Sequence, residues 1–162
     1  MSVSAAAEVR IEPARAEHAA AIAQLHAGLF EIAWPESTVR QMIGDTRTLA
    51  FVALTHSGEP IGFVIGRTVA DEAELLSIGV GPAWQQRGIG RLLAEALCVA
   101  SVRAQARRLY LEVAAGNLPA LRLYTALGGQ NVGLRKGYYE RPEKPAEDAI
   151  NLVIPLTDSE VR

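Results

Sequence analysis

The chain has 162 residues, which at about 150 residues per domain argues for one domain. With 49% hydrophobic and 21% charged residues it is too apolar for a disordered chain and long enough to bury a core without staples. Its one cysteine, Cys98, excludes an internal disulfide and a cysteine-rich zinc ribbon, and a net charge of −2 argues against a surface that coats nucleic acid.

Residues 1–8 are alanine-rich and lack both the basic and the apolar region of a signal peptide, so a flexible tail is expected there. No run approaches the roughly 18 apolar residues of a membrane helix, and with a lone thiol the expected compartment is the cytoplasm. Val9-Arg10-Ile11 suits a short first strand ended by Pro13. Ala20, Ile22, Leu25, Leu29 and Phe30 then recur at helical intervals. Trp34-Pro35 breaks that pattern, and Ser37 is the expected N-cap of a second helix reaching Ile43. From Thr48 the period becomes two. Residues 49–54 and 61–70 read as a hairpin about Ser57-Gly58-Glu59-Pro60, with Gly62 and Gly66 marking bulges or close approaches. Residues 74–80 add a third antiparallel strand.

The second half alternates. A helix is expected over 88–106, a strand over 109–113, a short helix over 118–127 closed by Gly128-Gly129, and strands over 132–138 and 149–154. The order β-α-α-β-β-β-α-β-α-β-β specifies one α/β (α+β) domain over residues 9–156, a mixed central sheet with helices on both faces. A short tail is expected at 157–162.

Chemistry concentrates in residues 77–90, where a strand leads through Gly81-Pro82-Ala83-Trp84 into Gln85-Gln86-Arg87-Gly88-Ile89-Gly90 at the start of the longest helix. Gly88 and Gly90 let the backbone approach a ligand closely. The helix start presents unpaired N–H groups and the positive end of its dipole, and Arg87 and Arg91 add charge, so the turn suits an anion such as phosphate. A dinucleotide-binding turn would need a third glycine where Leu93 stands, and the Gly-Lys-Ser/Thr of a Walker loop is absent. A tight strand-to-helix turn with no ligand would carry the same glycine pair, so the pair alone does not decide.

Leu109, Leu111 and Val113 share one face of their strand, which leaves Tyr110 and Glu112 on the other. A carboxylate in a central strand is costly unless it faces a cleft. In a cleft it can take a proton from a bound group. The competing reading is a solvated acid at a sheet edge. Tyr124 among Leu121, Leu123 and Leu127 has the pattern of a core tyrosine, and Asn117 that of a helix cap. His18, His26 and His56 are dispersed and form no metal or triad pattern.

Gln85-x-x-Gly88-x-Gly90 after a strand ending Ile78-Gly79-Val80 resembles the coenzyme-A-binding signature of the GCN5-related N-acetyltransferase (GNAT) superfamily. The similarity runs from Val9 to about Leu156 in the same element order. Leu111-Glu112-Val113, Asn117, Leu123-Tyr124, Lys136-Gly137-Tyr138-Tyr139 and Glu147-Asp148-Ala149 further resemble the RimI branch, whose members acetylate the N-terminal alanine of the eighteenth small-subunit ribosomal protein.

The resemblance implies an acetyl-CoA-dependent N-acetyltransferase that needs no metal, acting on a peptide or protein N-terminus. The backbone of Ile78, Gly79 and Val80 would pair with the pantetheine arm between splayed strands. An N–H there would face the thioester oxygen, where a preorganised donor is worth about 3 kcal/mol. Gln86, Arg87, Gly88, Ile89, Gly90 and Arg91 would hold the cofactor, with Asn117 also touching it. Glu112 matches the general base and Tyr124 the general acid that protonates the departing thiolate. Trp34, Tyr138 and Tyr139 would wall the acceptor groove beside a charged, proline-containing loop at 140–147. Because adjacent strand residues face opposite ways, one of the two tyrosines is expected to line it.

Two features depart from the family pattern. Gly129 stands where an aromatic is usual after Leu127-Gly128, and Ala114-Ala115-Gly116 is plainer than the charged stretch often found there. The alternatives are the same transfer to a small amine or a lysine side chain, or a non-catalytic acyl-CoA-binding sensor. Glu112 and Tyr124 together argue against the sensor, because binding alone needs neither.

Overall fold

The structure, a computed structural model, describes residues 8–141 and 144–157, so the expected tails lie outside it apart from Glu8 and Thr157. Strands β1 (Val9–Pro13), β2 (Thr48–Thr55), β3 (Pro60–Val69), β4 (Glu72–Val80), β5 (Arg108–Ala114), β6 (Gln130–Arg141) and β7 (Lys144–Pro155) join in one sheet ordered β1-β2-β3-β4-β5-β7-β6. Helices α1 (Ala19–Leu29), α2 (Glu36–Gly44), α3 (Ile89–Arg103) and α4 (Leu118–Ala126) complete the expected order. Only the β4–β5 pair is parallel among the described pairings.

Helix α2 begins two residues earlier than the Ser37 cap implied. Pro35 caps it in an extended conformation (φ −59°, ψ 152°) with no side-chain hydrogen bond. Glu36 supplies negative charge at the positive helix end and pairs with Arg40 one turn on, at 2.6 Å. The loop expected at 140–147 is also corrected. Strands β6 and β7 continue to Arg141 and from Lys144, and residues 142–143 lie outside the described residues.

Alternation along the strands divides the core in two. Val52, Leu54, Phe63 and Ile65 pack with Ala19 and Ile22 of α1 and Val39 of α2. Ala53 and Val64, one residue out of step, pack on the opposite face with Leu93, Leu97 and Cys98 of α3 and Tyr124 of α4. Buried on both faces, residues 61–66 of β3 therefore read as an unbroken apolar run. Ser101, fully buried on α3, satisfies its hydroxyl by donating to the Leu97 carbonyl at 2.7 Å.

Two irregularities position the site. Strand β4 carries a bulge: Gly66 pairs with Leu75 and Ile65 with Ser77, so Leu76 is the extra residue. Ala73 and Leu75 pack toward α3, Leu76 toward α1 and α2, and Ile78 and Val80 toward α3 again. Gly66 marks this break as expected; an added Cβ would lie 2.7 Å from Leu97 Cδ1. Strands β4 and β5 also part company. Their pairing covers Glu72–Arg108, Ala73–Leu109 and Glu74–Tyr110 and stops there, while β5 stays paired with β7 along its whole length. A wedge-shaped gap opens between Ile78-Gly79-Val80 and the upper half of β5.

Candidate active site

Beyond the gap, Gly81 bonds back to the Ile61 carbonyl and a 3-10 turn at Pro82–Trp84 reverses the chain into α3. Gln85 acts as a strut, its Nε2 donating to the Val80 carbonyl at 2.9 Å. Gln86 (φ 61°) and Gly88 (φ 85°) both adopt the left-handed conformation, and Gly88 is the N-cap of α3. The N–H groups of Ile89, Gly90 and Arg91 precede the first helical bond, from Leu92 to the Gly88 carbonyl at 3.2 Å. No acidic side chain stands in this first turn and no side chain caps it. An added Cβ at Gly88 would meet nothing within 4 Å, so the turn opens to solvent. The open turn and the unpaired edge of β4 together fit a long group with an extended arm and an anionic end.

The two arginines there are engaged by neighbours. The Arg87 guanidinium lies over the Trp84 ring at 5.3 Å, and Arg91 pairs with Glu95 at 2.8 Å along the helix. Asn117 caps α4, its Oδ1 accepting from the Ala120 N–H at 3.2 Å. At Gly90 three elements meet, since Val80 of β4 and Leu123 of α4 both lie about 4 Å from where its Cβ would stand. Tyr124 follows Leu123 and is 3% exposed. Burial, with the nearby Cys98 second, pushes its phenol well above the ordinary tyrosine range, so the hydroxyl is a proton-bearing group at neutral pH.

Glu112 lies on the other face of β5, as alternation required. It lines a cleft of about 560 Å³ with Glu74, Leu76, Arg135, Tyr138 and Tyr139 among its walls. Arg135 Nη1 stands 3.5 Å from Glu112 Oε1, and its guanidinium lies over the Tyr138 ring at 5.1 Å. Tyr138 meets Tyr139 edge-on at 5.2 Å. Burial, then the charge of Glu112 and the neighbouring Tyr138, raise the Tyr139 phenol above its usual range.

Both tyrosines line the cleft, where strict alternation would admit one. Between the pairs Arg135–Ala149 and Tyr139–Glu147, β6 spans four residues while β7 spans two. Gly137 absorbs the excess at φ 64°, its N–H donating to Asp148 Oδ1 at 2.8 Å. Trp34 makes its contacts elsewhere. Its ring stacks on buried His26 at 4.5 Å, and its backbone N–H donates to His26 Nδ1 at 3.2 Å, fastening the α1–α2 turn. The sequence placed Gln85 in the signature without its contact to Val80 and missed Arg135, because these contacts depend on turn geometry and on the β6 register. It also gave no role to Glu147, whose carboxylate accepts from the Gly116 N–H at 2.7 Å and ties β7 to the loop before α4. An acid pair at the head of an otherwise apolar strand was the available signal.

Residues 19–128 match the acetyltransferase (GNAT) family. The chain belongs to that family. This GNAT acetyltransferase is 37% identical over 124 residues, covering 76% of it and 82% of the relative, to the [ribosomal protein bS18]-alanine N-acetyltransferase of Escherichia coli (strain K12). It is 39% identical over 124 residues to the N-alpha-acetyltransferase RimI of Mycobacterium tuberculosis, covering 72% and 75%. The crystal structure of the Escherichia coli ribosomal-protein-S18-alanine N-acetyltransferase superposes with a TM-score of 0.83 at 31% identity, over 92% of this chain and 94% of that one. Arabidopsis thaliana NAA60 bound to acetyl-CoA shares the fold at a TM-score of 0.79, 22% identity, and coverage of 90% and 97%. The enzyme is thus an N-acetyltransferase, and acetyl-CoA is its acyl donor. Among the described residues no group of three or more His, Cys, Asp or Glu could hold a metal ion, and no helix is long and apolar enough to cross a membrane.

Proposed function

We propose that this GNAT enzyme acetylates a protein N-terminal α-amine, the N-terminal alanine of a small-subunit ribosomal protein being the favoured acceptor. The observation that carries the reading is the placement of Glu112 and Tyr124 on opposite faces of β5, beside the gap that opens above Glu74 and Tyr110. A molecule in that gap would have Glu112 on one side of the sheet and the α3–α4 core that holds Tyr124 on the other. The identity to relatives named for N-terminal acetylation supports the choice of acceptor. A cytoplasmic setting suits the same reading.

Bound acetyl-CoA would supply the acetyl group as an activated thioester. Ile78, Gly79 and Val80 present their unpaired backbone edge to its extended arm, and the start of α3 at Gly88, Ile89 and Gly90 receives its phosphates, with Gln86, Arg87, Arg91 and Asn117 around that turn. Glu112 takes the proton that the acceptor ammonium must lose. Tyr124 holds a proton at Oη on the α3–α4 side and delivers it to the leaving sulfur. Tyr138 and Tyr139 exclude water over the acceptor, and Trp34 fastens the α1–α2 turn through His26.

The test is mass spectrometry after incubation with acetyl-CoA and a panel of acceptors: peptides with free N-terminal Ala, Ser or Met, a peptide whose only amine is a lysine, and small amines. Acetyl mass is expected on the N-terminus of the Ala peptide. Modification confined to lysine or to small amines would overturn the acceptor, and cofactor binding without transfer would favour the sensor.

A further inference from the structure

The acceptor cleft is not isolated. A second cavity of about 240 Å³ lies between α2 and the far ends of β2 and β3, with Thr38, Gln41, Met42 and Arg67 in its walls. Leu76 lines both spaces, its side chain lying on the α1–α2 face by alternation with Leu75. Glu74 lines the first cavity and Arg67 the second, and the two join across the boundary: Arg67 Nε and Nη2 both donate to Glu74 Oε2, at 3.1 and 3.0 Å. On the β6 side Arg135, lying over Tyr138, and the edge-on Tyr139 line the cleft. On the β4 side its floor is Leu76.

We propose that an acceptor peptide with its amine at Glu112 runs over Leu76 and lays its following residues in this second cavity, a subsite for the chain downstream of the acetylated residue. The inference rests on the α-amine reading above. With water occupying about 30 Å³ per molecule, the space holds a peptide residue or two. Its cations are already matched, Arg67 by Glu74 and Arg47 by Asp45 at 3.1 Å. Met42 and Leu76 offer apolar contact, and Thr38 and Gln41 offer hydrogen bonds. The subsite thus suits neutral side chains and does not call for a charged one. It makes the enzyme one that measures acceptor length: binding gathered there is present in both ground and transition states and therefore lowers KM and leaves kcat unchanged.

The test measures acetylation kinetics on Ala-initiated, otherwise uncharged peptide amides of two, four and six residues. KM is expected to fall about tenfold from the shortest to the longest with kcat unchanged, the signature of uniform binding. Gln41 is exposed on α2, so Gln41→Trp fills the cavity without disturbing the core. It is expected to raise KM for the six-residue peptide to the dipeptide value and to leave dipeptide kinetics as they are. Thr38→Trp repeats the test from another position. A wild-type KM independent of length, or a Gln41→Trp enzyme that keeps the length dependence, overturns the subsite alone. Failure to acetylate an Ala peptide of any length, with a lysine or small amine acetylated, overturns the α-amine reading and the subsite with it.

Discussion

On β5, Glu112 projects into a cleft where Arg135 stands 3.5 Å away, whereas Tyr124 is buried behind the same strand among the side chains of α3 and α4. Glu112→Gln keeps the shape and removes the proposed base, and is expected to lower kcat by about 10²–10⁴. Tyr124→Phe removes one hydroxyl and opens no cavity, so it should lower turnover comparably while the unfolding midpoint holds. Calorimetric titration with acetyl-CoA should give wild-type affinity for both. If both variants turn over normally, Tyr124 is packing and Glu112 a spectator. Glu112 was legible in the sequence because alternation with Leu109, Leu111 and Val113 fixes its face. Tyr124 was legible as a core residue, which it is; its chemistry came only from the family resemblance, since apolar spacing is the same for a tyrosine that donates a proton and one that merely packs.

Helix α4 is the element whose ends are most sharply specified. Asn117 caps its start, and Asn117→Ala is expected to cost about 1 kcal/mol in denaturant unfolding. At its other end Gly128 takes φ 92°, Gly128 donates to the Thr125 carbonyl at 3.0 Å, and Gly129 donates to the Tyr124 carbonyl at 2.8 Å. The sequence led us to expect lost packing at Gly129, where relatives usually carry an aromatic. The structure gives a different reason for glycine: an added Cβ would lie 2.7 Å from the Tyr124 carbonyl oxygen. Gly129→Ala is therefore expected to destabilise by about 1–3 kcal/mol, read as a shift in the denaturation midpoint. Because the strained contact is with Tyr124 itself, kcat should fall in the same variant. A midpoint equal to wild type would mean that the helix end relaxes freely.

At the scale of the molecule, the α1–α2 face is closed by His26, which is 3% exposed and stacks on both Phe30 and Trp34 at 4.5 Å. Burial holds its pKa below the ordinary 6.5, and its Nδ1 accepts from Trp34, so the folded protein needs the neutral imidazole. The unfolded chain then binds the extra proton. Stability from this group is present above pH 6.5 and is lost as pH falls through the folded-state pKa. Thermal midpoints are expected to decline from pH 7 to pH 5 more steeply for wild type than for His26→Gln; equal slopes would exonerate the histidine. The overall order of strands and helices could be read from periodicity because each element buries one face. The β4–β5 gap, the doubled tyrosine wall and the Arg135 contact could not, because each depends on where a pairing stops or slips by a residue, and no local pattern records that.

The single extra residue in β4 has a consequence for how this site tolerates change. Below Leu76 the strand borders the proposed acceptor cleft, above it the gap proposed for the acyl donor, and the two halves run in opposite phase. A substitution at 76 alters one contact. A deletion there would restore a uniform pleat and leave Ile78 and Val80 on the α3 side, because Leu75 and Ser77 are already paired with the consecutive residues Gly66 and Ile65. A further residue inserted beyond the bulge would instead rotate every later side chain of β4 to the wrong face, turning Ile78 and Val80 out of the α3 core in one step. Gain of a residue in this strand is therefore a harsher filter on descent than loss of this one.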